Sequence, residues 1–130
     1  MNRSTRTAAA VAFAAAAVFP AFAETNALDG RSFDGVFLQR GKTSGDADTL
    51  VFRNGRFRSS ACDRYGYSDA PYKTAAVGDT TRFEAETESA KYGKLLWSGV
   101  VRNGKLDATA TMVREGKSNI ENWVVAAEKN

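Results

Sequence analysis

The residues of this chain that could carry chemistry are a lone cysteine, a cluster of tyrosines and two short rows of carboxylates. No histidine is present to assist them. Cys62 is the candidate free thiol and the one candidate nucleophile. In an oxidising compartment such a thiol can pair with another chain, change redox state or accept a covalent adduct. Arg58 and Arg64 flank it in sequence and would lower its pKa on contact. The competing reading is a small buried hydrophobe at a strand end, because free cysteine is among the most buried residue types. Without histidine, Cys62 has no protease-like base, and the commonest metal ligand is missing as well. Tyr65, Tyr67 and Tyr72 lie in a stretch broken by Gly66 and Pro71. They can present hydroxyls at a pocket mouth, or cover one end of the fold with each hydroxyl bonded to turn backbone.

Glu84, Glu86 and Glu88 alternate with less polar residues, the pattern of a solvated strand face. Paired carboxylates act as acid and base only where their surroundings separate their pKa values. Asp46 and Asp48 could offer oxygens to calcium, but the loop lacks the other acidic positions of a calcium-binding consensus, so turn chemistry accounts for them. Arg53, Arg56 and Arg58 bracket an Asn54-Gly55 turn, where they can grip an anion or keep a hairpin soluble. No phosphate-cradling glycine loop, zinc-ligand spacing or Ser-His-Asp set occurs. The expectation is therefore no catalytic residue, no metal site and no cofactor.

The elements that must position these residues read as strands with short turns. Period-two alternation covers 30–40, 49–53, 56–62, 72–77, 80–88, 94–102, 105–114 and 120–127. Residues 41–48 and 63–70 read as loops, and Pro71 can open a strand but not sit inside one. Inner faces are expected to carry Leu50 with Phe52, then Phe57 with Ser59 and Ala61. Further on they carry Phe83 with Ala85, Leu95 with Trp97 and Leu106 with Ala108, and Trp123 shares a face with Val125. Gly99 should mark a bulge or a close backbone approach. Asn54-Gly55 and Asn103-Gly104 are hairpin signals, because type I′ turns need φ > 0 at both central positions. No helical period follows the leader. The expected fold is all-β, an eight-stranded antiparallel up-and-down barrel, favoured over an open sandwich because closure removes exposed edges.

The N-terminus has the form of a secretory leader. Arg3 and Arg6 precede an apolar run over 8–19, Pro20 breaks it, and Ala21-Phe22-Ala23 supplies an A-x-A cleavage site. The expectation is a signal peptide over 1–23, cut after Ala23, and a single domain over 24–130. The run is short for a bilayer span and no lipid-accepting cysteine follows it, so no stable membrane anchor is expected and the mature chain is periplasmic or secreted. The chain carries 18 basic against 15 acidic residues. Only basic ones leave with the leader, so no basic patch recommends nucleic acid as a partner.

The run from Phe52 through Phe57, Cys62, Gly66-Tyr67 and Tyr72, with Phe83-Glu84-Ala85 and Leu96-Trp97-Ser98-Gly99, resembles small exported bacterial proteins with lipocalin-like (calycin-type) barrels. The glycine-X-tryptophan signature of true lipocalins is replaced by Asp34-Gly35-Val36-Phe37. The resemblance implies a barrel and no particular activity. The barrel patterning itself, with small side chains facing inward, gives the expectation of a non-enzymatic barrel that binds a small apolar molecule, with Phe57, Phe83 and Trp97 lining it and Tyr65, Tyr67 and Tyr72 at the rim. The alternative is a periplasmic protein-binding module, such as an inhibitor of proteases or lysozyme.

Overall fold

The computed structural model describes residues 22–130, so all but the last two residues of the expected leader lie outside the described residues. Eight antiparallel strands follow one another in chain order: β1 Ser32–Gln39, β2 Asp46–Arg53, β3 Arg56–Ser59, β4 Ala70–Val77, β5 Thr80–Ser89, β6 Gly93–Arg102, β7 Lys105–Met112 and β8 Ile120–Glu128. Each pairs with the next, and β1 also pairs with β8 from Phe33–Glu128 to Gln39–Asn122, so the sheet closes into a barrel. At the two Asn-Gly turns, φ is 53° and 72° for Asn54 and Gly55, and 51° and 73° for Asn103 and Gly104. Both central residues of each turn are left-handed, as a type I′ turn demands. No helix among the described residues is long and apolar enough to cross a membrane.

Alternation sorts side chains between a packed interior and water. Phe52 meets Phe57 and Phe83 at 5.2 Å between ring centroids and Tyr72 at 4.9 Å, and Phe57 meets Trp97 at 4.8 Å. Each such pair adds about 0.5–1.5 kcal/mol beyond the area it buries. Trp97 Nε1 donates to Thr87 Oγ1 at 3.1 Å, so its one polar atom is satisfied inside. Small residues make room for these rings. At Gly99 a Cβ would stand 2.6 Å from Phe83 Cε1 and 2.7 Å from Ala108 Cβ. The close approach expected there is a ring lying over glycine. The register through Phe83, Gly99 and Ala108 is unbroken, so there is no bulge.

Three local readings need correction, and one face is now assigned. The strand expected over 56–62 stops at Ser59, and Ser60–Tyr65 forms a 3₁₀ helix, which removes Ala61 from the inner face. Asp48 causes the turn: its carboxylate accepts from Ala61 N at 3.0 Å and from the Ser59 hydroxyl at 2.8 Å, capping the helix from a neighbouring strand. That same residue belongs to β2, which begins at Asp46 inside the expected loop. Pro71 lies second in β4, opposite Arg56, one residue before the β4–β5 ladder starts at Tyr72–Ala85, so its missing N–H breaks nothing. Trp123 and Val125 do share a face, but it is the outer one, at 43 % and 62 % exposed. Inside stand Asn122, Val124 and Ala126, and Asn122 Nδ2 donates to Ala110 O at 3.1 Å.

Candidate functional site

The two ends of the barrel differ. The end bearing the β2–β3, β4–β5 and β6–β7 turns is shut by the segment before β1. Glu24 and Thr74 exchange backbone hydrogen bonds at 3.3 and 2.7 Å, which stitches that segment to β4. Leu28 then turns inward and is fully buried. Its N–H donates to Tyr72 Oη at 3.0 Å, while the Tyr72 hydroxyl donates to Asp29 Oδ1 at 2.7 Å. Asp29 also accepts from Gly55 N. Burial, followed by the hydrogen bond to Asp29, pushes the Tyr72 hydroxyl well above the ordinary tyrosine range, so it stays a neutral donor. Arg31 and Glu128 close the seam beside it as a two-pronged ion pair at 2.9 and 2.7 Å.

The opposite end opens into a pocket of about 520 Å³, within the size usual for small-molecule sites. Phe37, Leu95, Met112 and Ile120 supply its apolar surface. Phe37, Leu95 and Met112 are inward-pointing residues near the strand ends that face this opening. Tyr65, Tyr67 and Tyr92 stand over them, with Cys62 in the wall. Tyr65 and Tyr92 meet edge-to-face at 5.8 Å and are 41 % and 38 % exposed, whereas Tyr67 is 7 % exposed.

The connector from β3 to β4 does this positioning. The 3₁₀ helix ends at Gly66, whose φ of 83° suits glycine, and Gly66 N bonds Asp63 O at 2.9 Å. Ser89 Oγ donates to Tyr65 O at 2.8 Å and Ser68 N donates to Glu88 O at 3.4 Å, which clamps the connector over the β5–β6 turn. The reversal at Gly66 sends Tyr67 inward.

Of the expected ligand residues, Tyr65 and Tyr67 reach this pocket. Phe57, Phe83 and Trp97 do not line it. They are packed against one another beneath it, and Trp97 touches its floor through Phe37 at 6.0 Å. Tyr72 is not at this rim but at the shut end, because β4 enters beside the β2–β3 turn: Pro71 pairs with Arg56, and Tyr72 N donates to Gly55 O at 3.2 Å. Phe37, Leu95, Met112, Ile120 and Tyr92 were not singled out as site residues. Strand parity held the signal for Phe37, Leu95 and Met112, which are inner-face positions beside loops on one side of the barrel.

Cys62 sits in a buried polar cluster. Neither neighbouring arginine serves it: Arg58 pairs with Asp63, and Arg64 pairs with Asp46 at 3.0 Å. Burial pushes the thiol up to about 11. Ser59 Oγ lies 3.4 Å from Cys62 Sγ and 2.8–2.9 Å from both Asp48 oxygens. A hydroxyl has one proton, and here it serves the carboxylate, so the thiol is the donor to Ser59. Burial raises the Asp48 carboxyl above its ordinary value against the pull of its hydrogen bonds. Glu84, Glu86 and Glu88 are exposed, and Glu86 pairs with Lys94 at 3.2 Å. Arg56 pairs with Asp69 at 3.0 Å and Arg53 is exposed. Among the described residues no group of three or more His, Cys, Asp or Glu is placed to hold a metal.

Comparison with known proteins finds no matching family model, no matching curated protein and no matching solved structure.

Proposed function

We propose that the protein is an exported, non-enzymatic barrel that binds a small molecule of largely apolar body in the pocket beneath Tyr65, Tyr67 and Tyr92. The difference between the two ends carries this reading: one is plugged by Leu28 and the Tyr72–Asp29 pair, and the other opens over an apolar floor. The ligand rests on that floor and not in the barrel axis, which aromatic rings fill. The leader pattern of 1–23 supports export to the periplasm or beyond. A protonated, buried thiol without a base gives no support to an enzymatic reading.

Trp97 reports occupancy because it touches Phe37 from below. In a Trp123→Phe variant it is the one remaining tryptophan. Titration with N-phenyl-1-naphthylamine, then with a panel of lipids and metabolites, should give a saturable change in its emission. A flat response to every compound would sink the proposal.

A second reading, a protein-binding module, draws on the outer face of β1 and β8, where Val36 lies opposite Val125 and both are exposed beside Trp123. Such a module would bring down a partner from periplasmic extract and lose it on Val125→Asp. No loss with that variant would remove the reason for this reading.

A further inference from the structure

Tyr67 holds the one buried side-chain nitrogen or oxygen that, among the described residues, has no hydrogen-bond partner. Its Oη has less than 1 Å² of surface, so bulk water does not replace the missing partner. An unpaired buried hydroxyl destabilises the fold, and a bound acceptor relieves that cost. Tyr72 shows the contrast: it is equally enclosed, yet its hydroxyl both donates and accepts. The unpaired state of Tyr67 is also held in place. Its N–H reaches Cys62 O at 3.4 Å, and the residues on either side are bonded to Asp63 and Glu88.

Tyr67 lines the pocket beside Cys62 and Tyr92. Burial raises its pKa, which leaves a neutral phenol able to donate. The wall also holds acceptors, the Asp46 carboxylate and the side-chain carbonyls of Gln39 and Asn122, but none of them bonds Tyr67 Oη.

We infer that Tyr67 Oη, turned toward the cavity as a ligand enters, is the specificity contact of the pocket, donating to an acceptor oxygen, a carbonyl or carboxylate, on an otherwise apolar ligand. The inference rests on the proposed pocket and adds the chemical class of its occupant. A hydrocarbon of the same shape fills the floor but leaves the phenol unpaired. The matching oxo compound satisfies it.

The test compares 2-acetylnaphthalene with 2-ethylnaphthalene, which differ in one oxygen, by displacement of N-phenyl-1-naphthylamine from the wild-type protein and from Tyr67→Phe. The variant should weaken the ketone about tenfold, the scale of one buried hydrogen bond, and leave the hydrocarbon within about twofold. Infrared spectra of the ketone bound to wild-type protein supply a readout independent of the variant's folding: its carbonyl band should lie below the position found in hexane. If both compounds displace the probe, but the variant treats them alike and the carbonyl band stays at its hexane position, this inference falls and the pocket stands. If neither compound nor the probe binds, both fall.

Discussion

At Cys62 the local charges work against reactivity. The carboxylates of Asp48, Asp63 and Asp46 add to burial in disfavouring the thiolate, and both arginines expected to oppose them are engaged elsewhere. With a pKa of about 11 in place of 9.0, the thiolate fraction at pH 8 is about 100-fold lower than for an ordinary thiol. Labelling by 5,5′-dithiobis(2-nitrobenzoate) should therefore run at least about 100-fold slower in the native protein than in urea. A native rate near the unfolded one would refute the assigned environment. The same shift has a thermodynamic side. Between the unfolded and folded pKa values the native state binds more protons than the unfolded chain, so stability falls as pH rises from about 9 towards 11. Cys62→Ala should flatten that decline, seen as a smaller loss of urea midpoint over the same pH span.

The β3–β4 connector shows why some elements are readable from sequence and others are not. Both Asn-Gly hairpins were legible because their backbone demand is local. The 3₁₀ helix was not, because its cap, Asp48, comes from another strand and pairs with nothing nearby in sequence. For the same reason Asp46–Asp48 looked like loop: an inward carboxylate makes sense only once Ser59 is opposite it. Alternation puts Trp123 and Val125 on one face without saying which. The closing register with β1, which sets Val36 beside Val125, turns them outward. The tyrosine cluster was legible as a site but not divisible, since Tyr67 and Tyr72 part company only through the pairing of Pro71 with Arg56, which starts β4 beside the β2–β3 turn. Gly66 is where the connector is most vulnerable. A Cβ there would sit 3.3 Å from Ser89 Oγ with φ at 83°, and the left-handed conformation costs a non-glycine residue about 1–2 kcal/mol. Gly66→Ala should lower stability by about that amount in urea melts and weaken N-phenyl-1-naphthylamine binding as Tyr67 is displaced. Unchanged probe binding would mean that the reversal does not hold the pocket.

For the molecule as a whole, the filled axis means that stability comes from aromatic packing sealed by a plug. Leu28 precedes the first strand, yet it is fully buried against the rest of the core. Leu28→Ala should cost about 2–5 kcal/mol, as for other buried leucines, measured by urea denaturation. It should leave probe binding intact, because the pocket is at the other end. A loss below about 1 kcal/mol would show a segment that drapes over the barrel without sealing it.

The seam between β1 and β8 joins the earliest strand to the latest. Ribosomes deliver the N-terminal side first, so β1 must wait, with one flank bare, until Ile120–Glu128 has been made. Contacts of such long sequence separation make folding slow. A product shortened before Ile120 would keep two raw margins, on β1 and β7, each able to recruit a neighbouring molecule. Removing Ile120–Glu128 should therefore raise self-association above that of the intact chain, read by size-exclusion chromatography.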